Sequence, residues 1–127
     1  MEEHTPRDIF IVDDDDILRQ VLRMALREGG HRVVGESGHS QRALDAIRAR
    51  PPELVFLDIV LRGGNGVALL EALKKDLPEV RVVMISSDAT RSCVQEALSK
   101  GACGFVAKPF TYDSVLQAVE RAFPDGD

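Results

Sequence analysis

The stretch Leu54-Val55-Phe56-Leu57-Asp58-Ile59 decides the fold. Four apolar residues run without a break into one carboxylate. A short continuous apolar run of this kind reads as a strand buried on both faces, as in a parallel sheet. Its carboxylate then stands at the strand's C-terminal end, the edge at which open α/β sheets bind ligands. Gly63, Gly64 and Gly66 follow, so the chain turns there.

Working outward, the same grammar repeats. Asp8-Ile9-Phe10-Ile11-Val12 is another short apolar strand, and four aspartates, Asp13 to Asp16, close it. Ile17, Leu18, Val21, Leu22, Ala25 and Leu26 then recur at helical spacing until Gly29-Gly30. Ile17 and Leu26 fall at the edges of that stripe, which leaves exposure of either open. Arg19, Arg23 and Arg27 share another face and read as a solvated stripe. Arg32 to Gly35 is a second strand. Ser40 is the expected N-cap of a helix through Ala43, Leu44 and Ile47, ended by Pro51-Pro52.

Beyond the Asp58 strand, a helix with Leu69, Leu70 and Leu73 inward runs from about Val67 to Asp76, before Pro78. Val80 to Ile85 is a fourth strand, ending at Ser86-Ser87. A helix through Val94, Ala97 and Leu98 ends at Gly101. Gly104 to Ala107 is a fifth strand, ending at Lys108-Pro109. Thr111 caps a last helix with Val115, Leu116, Val119 and Phe123 inward. Five strands alternating with five helices predict right-handed crossovers and a parallel sheet covered on both faces. Residues 1–127 form one domain on this reading, with 1–7 and 124–127 as tails.

The totals narrow the function classes. The apolar fraction of 44% is ordinary for a globular domain, and a net charge of −5 disfavours direct binding to nucleic acid. The N-terminus has no apolar signal region, and no apolar run approaches the ~18 residues of a membrane span. Cys93 and Cys103 have neither C-x-x-C spacing nor a nearby histidine, so they read as free thiols of a reducing cytoplasm. His4, His31 and His39 lack a second ligand at useful spacing and receive no role.

Asp13, Asp14, Asp58, Ser86 and Lys108 all stand at strand C-termini, which share one edge of a parallel sheet. Three carboxylates a few Å apart repel by about 4 kcal/mol per close pair at an effective dielectric near 20. Such a cluster calls for a cation, and oxygen-only ligands with room for water suit Mg²⁺. Asp15 or Asp16 is explained more simply, as an acid capping a helix and complementing its dipole. Asp58 is then placed to act as a nucleophile toward phosphorus, with Lys108 and Ser86 offsetting the charge of the phosphoryl oxygens.

At this point the chain resembles a bacterial two-component response-regulator receiver domain over essentially its full length, the chemotaxis type included. The matching pieces are Ile11-Val12-Asp13-Asp14, Leu57-Asp58 with Gly66 eight residues on, Met84-Ile85-Ser86-Ser87, and Gly104-Phe105-Val106-Ala107-Lys108-Pro109-Phe110. The resemblance implies a flavodoxin-like doubly wound sandwich of strand order 2-1-3-4-5. It implies Asp58 as phosphoacceptor and Mg²⁺ (Mn²⁺ substituting) held by Asp13, Asp14, Asp58 and the Val60 carbonyl. Ser86, Ser87 and Lys108 would surround the phosphoryl group, and the Lys108-Pro109 bond would be cis.

Further implications concern signalling rather than enzymatic turnover. Ser86 and Phe105 would form the switch, altering the face of the fourth helix, fifth strand and fifth helix that serves an output protein or domain. Phe105, without a hydroxyl, is expected to favour its buried state. A histidine kinase or phosphotransfer protein would dock at the first helix, through Ile17 or Leu18. Phosphorylation-dependent homodimers occur in such proteins. Val60 and Asp88 would flank the water that hydrolyses the acyl phosphate, and valine cannot hold that water, which predicts a long-lived phosphorylated state.

Three positions depart from the commonest family pattern: Arg62 replaces a proline, Phe105 a frequent tyrosine and Ser86 a frequent threonine. Gly63-Gly64 beside Arg62 suggests a mobile loop. The sequence leaves open a free-standing regulator or the receiver of a longer one with a DNA-binding or enzymatic output. A phosphatase of the haloacid-dehalogenase kind would use Asp13-x-Asp15, but lacks the later acidic pair and leaves Asp58 unexplained. A flavodoxin-like cofactor binder would place four aspartates against a flavin phosphate.

Overall fold

The computed structural model describes residues 5–124. The Asp58 stretch forms strand β3 (Leu54–Asp58), buried at every position. Around it the chain runs β1 (Asp8–Val12), α1 (Asp16–Glu28), β2 (Arg32–Ser37) and α2 (Ser40–Ala49) before β3. After β3 come β4 (Val60–Leu61), β5 (Gly64–Asn65), α3 (Gly66–Asp76), β6 (Arg81–Ser86), α4 (Arg91–Ser99), β7 (Gly104–Ala107) and α5 (Tyr112–Ala122). The main sheet is ordered β2-β1-β3-β6-β7 with every pairing parallel. Counting only its five strands, this is the flavodoxin-like order 2-1-3-4-5.

The double winding follows from strand alternation. Ile9, Ile11, Leu54, Phe56, Val83 and Ile85 pack against Leu22, Leu26, Val115 and Val119 of α1 and α5. Their strand neighbours Phe10, Val12, Val55, Leu57, Val82 and Met84 turn the other way, onto Ile47, Leu70, Leu73 and Ala97 of α2, α3 and α4. Each such side chain contributes about 1.5–3 kcal/mol by leaving water. No helix among the described residues is long and apolar enough to cross a membrane.

Several local expectations need correction. Helix α2 is capped by His39, not Ser40: the His39 Nδ1 accepts from the backbone N–H groups of Gln41 and Arg42 at 3.2 and 3.4 Å. The backbone N–H of Ser40 is drawn instead to the Arg62 carbonyl at 2.9 Å, which places Ser40 in the first turn. Strand β2 continues past Gly35 to Ser37. Leu98 faces outward at 46% exposure, and only Ala97 of α4 is buried. At the edges of the α1 stripe, Ile17 is exposed and Leu26 buried.

The segment after β3 carries regular structure. It is a two-stranded antiparallel ribbon, β4 with β5, turned at Gly63, whose φ of +76° suits glycine. Its Arg62 forms a parallel bridge with His39, so the ribbon is tied to the β2–α2 connection. Arg7, within the expected tail, is buried: its N–H donates to His31 Nδ1 at 3.1 Å, and its guanidinium pairs with Glu53 at 3.4 Å and lies over the Phe123 ring. His31 and His39 therefore have structural parts that their spacing did not show, while His4 lies outside the described residues.

Candidate functional site

Parallel pairing carries the ends of β1, β3, β6 and β7 to one edge, and the polar residues meet there. Carboxylate oxygens of Asp13, Asp14 and Asp58 lie within 4.8 Å of one another. Lys108, fifty positions from Asp58 in sequence, places its Nζ 2.9 Å from Asp58 Oδ2 and 3.2 Å from Asp13 Oδ2. Asp13 and Asp58 are buried, and Asp14 is partly open to solvent. Three carboxylates against one ammonium leave a net charge of about −2 in the cluster.

Local bonding fixes each member. Asp13 Oδ1 accepts from the Asp15 backbone N–H at 2.9 Å, while Asp15 caps α1 through Ile17 and Leu18. Asp58 Oδ1 accepts from the Val60 N–H at 3.2 Å. Gly66 opens α3 against the end of β3, its N–H on the Ile59 carbonyl at 2.6 Å. The Lys108–Pro109 peptide bond is cis, and the Lys108 N–H donates to the Ser86 carbonyl at 2.9 Å. Ser86 is buried one position beyond Ile85, the register partner of Asp58, and its Oγ accepts from the Asp88 N–H at 3.0 Å. Ser87 and Asp88 are exposed. Phe105, on edge strand β7, is half-buried against the core cluster that α2, α3 and α4 cover, rather than enclosed.

The electrostatics of the cluster suit a cation. Asp13 Oδ2 is buried and accepts no hydrogen bond, although the Lys108 ammonium is close by. Burial raises the Asp13 carboxyl above its ordinary 3.8, and the Asp58 charge adds to this against the Asp15 N–H and Lys108. Burial alone would lower the Lys108 ammonium, but its bond to Asp58 and the charge of Asp13 outweigh that and raise it. Hard oxygen donors, a surplus negative charge and an orphaned carboxylate oxygen together suit a divalent cation such as Mg²⁺.

Comparison with known proteins agrees with this geometry. A match to the response regulator receiver domain family spans residues 9–120. The chain belongs to that family. It is 32% identical over 113 residues to the chemotaxis protein CheY of Bacillus subtilis, covering 89% of this chain and 94% of that protein. It is 38% identical over 117 residues to the nitrogen assimilation regulatory protein NtrX of Azorhizobium caulinodans, covering 91% of this chain but 26% of that longer protein. The solved CheX–CheY–BeF3–Mg complex from Borrelia burgdorferi superposes with a TM-score of 0.90 at 27% identity, over 93% of this chain and 90% of that one.

This receiver domain is thus part of two-component signalling. Receiver domains are generally switches rather than enzymes, meet histidine kinases and output domains, and normally bind Mg²⁺ at an acidic pocket. The present receiver adds contacts that spacing alone missed. Arg19 and Arg23 of the basic stripe are engaged by Glu36, at 3.2 and 2.5 Å. Arg19 also donates to the Asp13 carbonyl at 2.5 Å, and Arg62 to the Asp14 carbonyl at 3.4 Å. Both cysteines are free; burial first, then Asp88 and Glu96 for Cys93, pushes their thiols above 9.0.

Proposed function

We propose that this receiver accepts a phosphoryl group on Asp58 from the phosphohistidine of a histidine kinase or phosphotransfer protein. The carrying observation is the buried Asp58 carboxylate with two further acids within 4.8 Å and Lys108 Nζ at 2.9 Å. An Asp58 oxygen attacks phosphorus as the phosphorus–nitrogen bond of the donor breaks, leaving a neutral imidazole and an acyl phosphate. Lys108 supplies a fixed positive charge beside the nucleophile. Asp13, Asp14, Asp58 and the Val60 carbonyl would hold Mg²⁺ (or Mn²⁺), whose chemistry when bound is to neutralise charge on the phosphoryl oxygens.

The switch then follows from hydrogen bonding. Ser86 and Lys108 gain phosphoryl oxygens as acceptors, and exposed Ser87 leaves room beside them. Charge-assisted bonds are worth about 1.5–3 kcal/mol each, so two approach the ~5.5 kcal/mol that carries a 1:99 equilibrium to 99:1. Turning Ser86 inward releases the Asp88 N–H and vacates space toward Phe105, which is already half-buried. The face of α4, β7 and α5 changes in consequence and serves an output protein, a tethered output domain or a second phosphorylated copy. The donor docks at α1, where Ile17 is 71% exposed beside Leu18.

The test is intact mass after incubation with acetyl phosphate, with and without Mg²⁺, beside an Asp58→Asn variant. A Mg²⁺-dependent phosphoryl adduct on the native chain alone is expected. No adduct on a folded chain, or an adduct retained by Asp58→Asn, would overturn the assignment and return attention to Asp13.

A further inference from the structure

A second concavity starts beside the acidic cluster and is unused by the switch. Between edge strand β2 and helix α2 runs a groove of about 840 Å³, with Arg62 among its lining residues where it approaches Asp14. Phe10, Ala46 and Ala49 supply apolar lining; Arg42, Arg50 and Arg62 supply exposed guanidiniums.

The charges in this groove do not cancel. Its carboxylates are already engaged, Asp8 by Arg32 at 2.6 Å and Glu36 by Arg19 and Arg23. The guanidiniums of Arg42, Arg50 and Arg62 form no ion pair among the described residues. On a chain of net charge −5, three arginines lining one groove without a carboxylate partner are a local surplus of the opposite sign. Complementary charge of this kind guides encounter and selects partners.

We propose that the β2–α2 groove docks an acidic, partly apolar polypeptide segment of a partner protein. A nucleic acid fits less well, because its phosphodiester backbone would leave the apolar lining of Phe10, Ala46 and Ala49 unfilled. Strand addition is also disfavoured at this edge. The β1–β2 register skips at Val34, and such a bulge blunts an edge strand. The segment is therefore held by its side chains: carboxylates on the arginines and an apolar residue between Phe10 and the two alanines.

The experiment titrates the ¹⁵N-labelled whole chain with a blocked hexapeptide of four glutamates and two leucines. Amide shifts are expected at Val34, Gly35, Ala46 and Ala49. The double reversal Arg42→Glu with Arg50→Glu should weaken binding by about tenfold or more, since it replaces two attractions with two repulsions. The reversal Arg27→Glu with Lys75→Glu changes net charge equally, away from the groove, and should stay within about twofold. Circular dichroism confirms that both variants fold. Equal weakening by both, shifts that map elsewhere, or a hexathymidylate that binds the same amides more tightly would each overturn the proposal.

Discussion

Replacing Gly66 by alanine tests how the end of β3 is held. An ideal Cβ there lies 2.0 Å from the Asp58 carbonyl oxygen and 2.8 Å from Asp58 C and Ile59 Cα, where real contacts are essentially never under 3.0 Å. The obstacle is backbone, which cannot rotate aside, so strand and helix must separate by about 1 Å. Asp58 is in register with Ile85, and Gly66 donates to Ile59 at 2.6 Å, so separation strains the sheet and breaks a bond. Overpacking costs about 1–3 kcal/mol and a lost hydrogen bond about 1 more. With a rigid obstacle we expect the upper end, about 3–4 kcal/mol, which lowers the urea midpoint by roughly 2 M.

A misplacement near 1 Å should also slow acetyl phosphate labelling of Asp58 by about 100-fold. Gly64→Ala is the control. Its Cβ meets only the Ser40 side chain, at 3.1 Å, and should cost less than about 1 kcal/mol. Urea unfolding by circular dichroism and labelling by intact mass give the two readouts. A Gly66→Ala chain as stable as Gly64→Ala, labelled at the native rate, would refute the reasoning.

Other perturbations probe the site separately. Asp13→Asn removes a buried carboxylate that accepts no bond at Oδ2, so it should stabilise the metal-free chain by about 0.5–2 kcal/mol at pH 7 while weakening Mg²⁺ binding, both read from urea midpoints with and without Mg²⁺. Because the folded Asp13 carboxyl titrates above 3.8, its contribution is present below that value and lost as pH rises through the raised one. The metal-free native chain should therefore lose stability across that window more steeply than Asp13→Asn, and parallel profiles would count against a raised Asp13. Val60→Asn gives the exposed position beyond Asp58 a group that can hold water, and should shorten the acyl phosphate lifetime several-fold in a dephosphorylation time course; an unchanged lifetime removes Val60 from that role. Ile17→Asp should slow transfer from a histidine kinase at least tenfold yet spare acetyl phosphate, and equal slowing of both would exclude docking there.

The sequence by itself determined the architecture, because the signals involved are local. Short apolar runs of β-branched and aromatic residues bounded by turn signals read as strands buried on both faces, and periodic stripes such as Leu22, Ala25 and Leu26 read as helices packed on them. Parallel crossovers then oblige all strand C-termini to share one edge, so Asp13, Asp58, Ser86 and Lys108 had to be neighbours. What only the tertiary structure decided is which atoms touch. Whether Lys108 reaches Asp58, or His39 replaces Ser40 as a cap, depends on loop conformations set by packing to fractions of an ångström. The glycines after Asp58 marked a turn, but that the turn closes a ribbon bridged through Arg62 to the β2–α2 connection came only from the tertiary structure. The basic groove was likewise invisible, since Arg62 comes from a separate part of the chain from Arg42 and Arg50, and the lack of carboxylate partners for all three emerges only once Asp8 and Glu36 have chosen other arginines.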